Sequence, residues 1–171
     1  MRILLVVGRK KRGKTRLVEK LIPEFKSRGY KVGSIKYTTG DHVFDTPGKD
    51  SFRHAQAGAE STLILSPNKI AFFSDHLPTK NTEKLFRFLF EGYDLIIGEG
   101  FKDSSYPKIE VMDYSRDQAT LCTPQDNLKA IVCDGRIDVS VPVFSTHQIT
   151  ELADHIEKNI PEGLGKIGEN D

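Results

Sequence analysis

Charge of either sign is in no excess: 25 lysines and arginines face 24 aspartates and glutamates, leaving +1 over 171 residues. That balance excludes a chain that is basic throughout, as many histone-like nucleic-acid binders are, while leaving room for a local basic patch. Cysteine is scarce, with only Cys122 and Cys133. Two thiols make no disulfide framework and their spacing fits no zinc pattern, so both read as small buried hydrophobes. No apolar run approaches the ~18–20 residues a membrane helix needs. The opening stretch 1–8 is too short for a signal-peptide core plus cleavage site, and a lysine cluster follows it. A cytoplasmic protein with no membrane span is the expectation. Histidines 42, 54, 76, 147 and 155 show no metal-ligand spacing. His42 and His54 are candidates for ligand contact.

What remains is ordinary soluble globular composition, 37% hydrophobic and 29% charged. The length suits one domain. Residues 1–160 are read as a single nucleotide-binding domain. Residues 161–171, with three glycines in eleven positions, are read as a flexible tail.

The patterning alternates strands and helices. A continuous apolar run over 3–7 fits a strand buried on both faces. Leu17, Val18, Leu21, Ile22 and Phe25 then trace one stripe of a helix that Gly29 stops. A second strand follows over 31–36. Asp50 or Ser51 is placed to cap a short helix ending before Gly58. Residues 62–65 and 70–73 read as a hairpin around Ser66-Pro67-Asn68-Lys69. Residues 81–90 read as a helix, and 94–97, 109–112, 130–133 and 141–144 as strands. Ile149, Leu152, Ala153, Ile156 and Ile160 close the chain with an amphipathic helix. The fold class expected is α/β, P-loop NTPase-like: a mainly parallel sheet flanked by helices, with a small hairpin insertion.

Residues 8–15 read Gly-Arg-Lys-Lys-Arg-Gly-Lys-Thr, the G-x-x-x-x-G-K-[ST] pattern without deviation. It lies between the first strand and the first helix, the context such a loop needs. Gly8 and Gly13 let the backbone fold tightly, so that amide N–H groups converge on an anion at the positive end of the helix. Lys14 would reach the β- and γ-phosphates, and the Thr15 hydroxyl would bind Mg²⁺. The phosphate-facing candidates are Gly8, Arg9, Lys11, Arg12, Gly13, Lys14, Thr15 and Arg16. Six basic residues in positions 9–16 also admit a nucleic-acid patch. A plainer reading makes Lys10, Lys11 and Arg12 solvated loop tips.

A nucleotide–Mg²⁺ site needs a carboxylate from a neighbouring strand. Asp94 and Glu99 bracket an apolar strand, roughly 16 Å apart at ~3.3 Å per residue. Only Glu99, at the C-terminal end, shares an edge with the glycine-rich loop. Lys36 ends the second strand at that same edge. In the following loop, Asp45 or Asp50 could hold metal-bound water, and Lys49 or Arg53 could neutralise phosphate. For Asp50 and Ser51 helix capping is the competing reading.

Taken together, residues 8–15, Ile35-Lys36-Tyr37-Thr38, Asp45-Thr46-Pro47-Gly48-Lys49-Asp50-Ser51, Ala57-Gly58-Ala59 and Gly98-Glu99-Gly100-Phe101-Lys102 resemble the molybdopterin-guanine dinucleotide biosynthesis protein B (MobB) family. The likeness spans about residues 1–150, with the motifs in order. It implies a GTP-binding adapter, usually dimeric, with weak GTPase activity at most, that assists a MobA-type nucleotidyltransferase joining GMP to molybdopterin. On that likeness GTP and Mg²⁺ are the ligands and Lys14 and Thr15 bind phosphate and metal. Glu99 lies at the metal, and Lys36, Asp45, Lys49 and Asp50 border the nucleotide or the pterin-bearing face. Two features depart from the family. Tyr37, Thr38, Thr39 and Gly40 occupy a stretch where many members carry histidines. The guanine-reading N-K-x-D motif is absent, since Asn68-Lys69-Ile70-Ala71 lacks the aspartate. A choice of GTP over ATP therefore rests on the resemblance. The alternatives are an ATP-using P-loop small-molecule kinase or ligase, and a nucleic-acid module built on residues 9–16. No residue stands out as a catalytic base. Phe72, Phe73, Phe86, Phe88 and Phe90 concentrate aromatic surface that a homodimer could cover.

Overall fold

A computed structural model describes residues 1–40, 42–75, 82–160 and 162. The chain forms two compact units, one of residues 1–38 with 87 onward and one of residues 39–86. The first unit carries a six-stranded sheet: β1 (Arg2–Val7), β2 (Val32–Lys36), β5 (Leu95–Glu99), β6 (Lys108–Val111), β7 (Leu128–Val132) and β8 (Val143–Phe144). Their spatial order is β2-β5-β1-β6-β7-β8, and every pairing is parallel. The expected P-loop NTPase-like α/β class is the observed one.

β1 is central because its residues suit no other place. Ile3 to Val7 are all buried, with apolar side chains on both faces, as a parallel strand covered on both sides requires. Leu95, Ile96 and Ile97 repeat this in β5. Helix α1 (Lys14–Ser27) lays Leu17, Leu21 and Phe25 on the sheet, and α4 (Ile149–Asn159) adds Leu152, Ala153 and Ile156 to the same core. The sequence pattern stepped over Pro23 inside α1. The helix absorbs it because Pro23 faces solvent and the apolar stripe is unbroken. α1 then ends as the glycine signal required. Gly29 takes φ +88°, the Tyr30 N–H reaches the Phe25 carbonyl at 3.1 Å, and the two rings meet edge-on at 5.3 Å. Arg28 ties this end to α4 through Asp154 (2.7 Å) and Glu157 (2.8 Å). Both cysteines are buried thiols, as expected.

The second unit contains α2 (Asp50–Gln56) and the hairpin β3 (Ser61–Ser66) and β4 (Lys69–Ser74), paired antiparallel as the turn signal implied. α3 (Thr82–Leu89) spans the change from the second unit to the first. The capping expectation for Asp50 and Ser51 is corrected: Lys49 holds the cap position and no side chain caps the helix. The Ser51 hydroxyl is already spent on Asp45 Oδ1 at 3.0 Å. β8 is shorter than the run 141–144 suggested, and Pro142, which has no N–H to give, precedes it. A 3₁₀ turn, Pro124–Asp126, precedes β7 and is closed by reciprocal bonds between Thr123 and Asp126. Asn81, His76 and the tail from Pro161, apart from Glu162, lie outside the described residues. Among the described residues no helix is long and apolar enough to cross a membrane.

Leu21 is fully buried between α1 and the sheet. Leu21→Ala is expected to cost about 2–5 kcal/mol, a fall in Tm of roughly 5–15 °C for a chain of this size, measured by scanning calorimetry. A shift below about 2 °C would show that α1 is not seated as described.

Candidate phosphate and metal site

The loop between β1 and α1 takes its shape from contacts that exclude side chains. Gly8 has φ +145°, and a Cβ there would stand 2.4 Å from the Val111 carbonyl oxygen at the end of β6. Lys11 and Gly13 also take positive φ, 61° and 89°, and α1 starts immediately afterwards, the Leu17 N–H bonding to the Gly13 carbonyl at 3.0 Å. The loop thus doubles back over the helix start, the conformation the glycine spacing predicted.

Lys14 arches over this loop. Its Nζ donates to the carbonyls of Gly8 (2.9 Å) and Arg9 (2.8 Å). Removal from solvent lowers its pKa, Glu99 pulls it back up, and Lys36 and Arg12 add to the lowering. The Thr15 hydroxyl donates to Glu99 Oε2 at 2.8 Å, and Lys36 Nζ lies 3.6 Å from Glu99 Oε1. Register explains this meeting: Val6, Glu99 and Lys36 stand level across β1, β5 and β2. Four residues expected at the phosphate end, Lys14, Thr15, Lys36 and Glu99, therefore converge. Asp94 sits at the opposite end of β5, where its carboxylate accepts the Lys31 N–H at 2.7 Å. Among the described residues no group of three His, Cys, Asp or Glu could cage a metal ion. A hydroxyl and one carboxylate suit Mg²⁺, which keeps several waters and takes phosphate oxygens as ligands.

The basic cluster divides. Lys10, Lys11 and Arg16 are exposed. Arg12 is not a solvated tip: its Nε lies 2.9 and 3.0 Å from the two oxygens of Asp117, and its Nη2 is 2.9 Å from Oδ1. Arg9 donates to the Ala119 carbonyl at 2.8 Å. Sequence reading missed Asp117, whose side chain is only 1% exposed. It also missed two charges buried in β6. Lys108 donates to the carbonyls of Ser104, Tyr106 (3.2 Å) and Asp126 (2.7 Å). Glu110 accepts the N–H groups of Leu121 (2.7 Å) and Cys122 (3.1 Å). Burial raises the Glu110 pKa, against these bonds. The available signal was the alternation Lys108-Ile109-Glu110-Val111, which sets two ionic groups on one face of a strand in a buried sheet.

Asp45, Lys49 and Asp50 belong to the second unit. Asp45 accepts its neighbour's Thr46 N–H (2.7 Å) and the Ser51 hydroxyl. With Lys49, Asp50, His54 and Phe73 it borders a hollow of about 640 Å³. Arg53 reaches Asp50 at 3.7 Å, and His42 rests against the Phe44 ring, centroids 5.8 Å apart. In the stretch without histidines, the Tyr37 ring stacks on Phe101, centroids 4.6 Å apart.

A parallel six-stranded sheet flanked by helices, with a glycine-bounded loop turning into α1 at its C-terminal edge, defines a P-loop NTPase-like protein. Residues 3–134 match the family model described as "Molybdopterin guanine dinucleotide synthesis protein B". The chain belongs to this family, MobB. It is 30% identical over 148 residues to the molybdopterin-guanine dinucleotide biosynthesis adapter protein of Escherichia coli K12, covering 84% of this chain and 85% of that one. The adapter protein of the same name from Haemophilus influenzae is 28% identical, with 91% and 87% covered. A crystal structure of molybdopterin-guanine biosynthesis protein B superposes with a TM-score of 0.72 at 27% identity, over 91% of this chain and 97% of that one. The crystal structure of Bacillus subtilis MobB has the same fold, TM-score 0.74 at 23% identity, over 95% and 100%.

Burial pushes the Asp117 carboxyl up, but the Asp113 N–H (3.0 Å) and the Arg12 guanidinium outweigh it and hold the pKa below the ordinary aspartate value. The folded value is depressed, so this stabilisation is complete above the unfolded pKa of about 3.9 and is lost as pH falls through the lowered value. Asp117→Asn is expected to lower Tm by roughly 5 °C at pH 7, with the gap to wild type closing on acidification. Equal melting at pH 7 would contradict the ion pair.

Proposed function

We propose that the protein is a cytoplasmic GTP-binding adapter in the biosynthesis of molybdopterin guanine dinucleotide. It binds GTP–Mg²⁺ through residues 8–15 and assists a partner nucleotidyltransferase of the MobA type. The observation that carries this reading is the convergence of Lys14, Thr15, Lys36 and Glu99 on one side of a loop built from positive-φ residues. In the reading, main-chain N–H groups between Gly8 and Arg16 surround the β- and γ-phosphates. Lys14 exchanges two neutral carbonyls for phosphate oxygens, which are stronger acceptors for an ammonium. Thr15 and Glu99 hold Mg²⁺ directly or through water. Arg9, Lys11, Arg12 and Arg16 supply positive potential, and Lys36 counters the charge of Glu99 and the γ-phosphate. Asp45, Lys49 and Asp50, grouped in the second unit, are assigned to the nucleotide or the pterin-bearing substrate. Among the described residues of the first unit no group is placed as a dedicated base for water, in keeping with a weak GTPase in this reading.

The same reading includes a homodimer. Leu63 pairs with Phe72 and Leu65 with Ile70, so these four side chains share one face of the hairpin, and each is more than half exposed. An apolar face of this kind fits a subunit contact better than free surface. Of the five phenylalanines singled out, Phe72 and Phe88 are exposed while Phe86 is buried.

Calorimetric titration with Mg²⁺ tests the proposal. GTP is expected to bind at least tenfold more tightly than ATP, and Lys14→Ala to lose at least tenfold in GTP affinity. Equal GTP and ATP affinities would overturn the guanine assignment, and unchanged binding in Lys14→Ala would overturn the phosphate loop.

A further inference from the structure

Glu99 is the last residue of β5, where a strand's hold on its residues gives out, yet its carboxylate stays beside Thr15. What holds it lies just past the strand ends. The Gly100 N–H bonds to the Val6 carbonyl at 3.0 Å and the Tyr37 N–H to the Glu99 carbonyl at 2.9 Å, so the ladder runs one step further on both sides of Glu99. The chains leaving β2 and β5 are close there. A Cβ on Gly100, which has φ +100°, would stand 3.2 Å from the Tyr37 carbonyl oxygen and 3.3 Å from the Tyr37 Cβ.

Phe101 is the anomaly at this corner. Among the described residues Lys11, Phe101 and Asn127 are the non-glycines with positive φ. Asn visits that region readily, and Lys11 is an exposed loop residue. A phenylalanine at φ +57° is strained and persists only where its surroundings compensate. Two contacts do so. The Phe101 carbonyl accepts the Ser104 N–H at 3.1 Å, and its ring lies on that of Tyr37, centroids 4.6 Å apart with the planes inclined by 34°. Tyr37 is 51% exposed, so the ring contact adds little to the core. Its effect is local: it joins the two chains directly after Lys36 and Glu99, which stand level in the register.

We propose that the Tyr37–Phe101 ring pair positions Glu99 for Mg²⁺, by clamping the chains that leave β2 and β5. This rests on the nucleotide reading above. The side chains around Glu99 do not suffice for the task. The Thr15 hydroxyl that holds Oε2 is itself assigned to the ion, and Lys36 reaches Oε1 only at 3.6 Å from an exposed side chain. Placement of the carboxylate therefore falls to the main chain of Glu99, and the ring pair is what fixes that main chain beyond the last ladder bond. Mg²⁺ accepts ligands only in near-octahedral geometry, so a carboxylate on a loosened strand end would serve it poorly. Tyr37 and Phe101 touch neither ion nor phosphate in this assignment. They are positioning residues acting through Glu99.

The test measures binding of inorganic tripolyphosphate by calorimetry, once with Mg²⁺ and once with EDTA, which separates the gain conferred by the ion from the hold of the loop. Wild type is expected to gain at least tenfold from Mg²⁺. Tyr37→Ala and Phe101→Gly are expected to bind within twofold of wild type in EDTA and to lose at least fivefold of the gain. Tyr37→Phe, which keeps the ring, is expected to retain it. Glycine is at ease with φ +57°, so the loss in Phe101→Gly reports the missing ring and not a changed backbone preference. A gain within twofold of wild type in both ring-deleting variants overturns the proposal, and so does an equal loss in Tyr37→Phe. Weakening of the same size with and without Mg²⁺ also overturns it, because the rings would then support the whole sheet edge and not Glu99. Absence of any Mg²⁺ gain in wild type overturns it too, while the phosphate reading stands on tripolyphosphate and on Lys14→Ala. If wild type binds neither tripolyphosphate nor GTP, the nucleotide reading fails and this inference with it. Should the ring-deleting variants not fold, Tyr37→Leu decides, since it keeps apolar bulk without a ring: a fivefold loss of the gain upholds the clamp, and a gain within twofold of wild type overturns it.

Discussion

Gly8 meets the Val111 carbonyl oxygen where any other residue would carry its Cβ, and this contact governs how β1 hands over to the loop. Because β1 and β6 are neighbours, the end of β6 acts as a backstop. The chain leaving β1 cannot continue the strand there, and it turns out over the sheet edge. The positive φ values at Lys11 and Gly13 then bring it back to begin α1. Everything at the edge follows from that turn: Lys14 above the loop carbonyls, Thr15 beside Glu99, and the start of α1 against the ends of β6 and β7.

Electrostatics at this edge separates cations that are committed from cations that are not. Arg12 is spent on Asp117 in a geometry only a planar guanidinium can satisfy. Lys14 is different. Its partners are two neutral carbonyls, which satisfy donors without cancelling charge, and its nearest anion, Glu99, is already held by Thr15 and Lys36. Desolvation without neutralisation is what lowers its pKa. The loop therefore holds a positive charge that a polyanion would stabilise better than the protein does, whereas the charge of Arg12 already faces Asp117.

Those parts of the molecule that depend on contiguous residues were legible in the sequence. The loop 8–15, the apolar strands, the α1 stripe with its glycine stop and the hairpin all carry their signal locally. Glu99 could be separated from Asp94 by strand length alone, since the two acids lie at opposite ends of β5. What could not be read depends on partners far away in the chain. Arg12 and Asp117 are 105 residues apart, and nothing at Arg12 itself distinguishes it from the exposed Lys10 and Lys11. Capping at α2 failed for a related reason: Ser51 has the right chemistry but its hydroxyl is used by Asp45.

The buried charges of β6 explain how irregular chain can stay ordered beside this site. Lys108 and Glu110 do not pair with each other. Each bonds main-chain groups of a loop, Lys108 the carbonyls around residues 104–106 and Asp126, Glu110 the N–H groups of Leu121 and Cys122. A buried ion costs several kcal/mol to desolvate unless its hydrogen-bonding capacity is filled. Backbone dipoles fill it here, so the ions are tolerated only while both loops keep their places. The segment 112–123 carries no helix or strand, yet one end is pinned by Glu110 and its middle by Asp117 to Arg12. Order beside the loop 8–15 therefore comes from side chains that bind backbone, in a region where secondary structure supplies none.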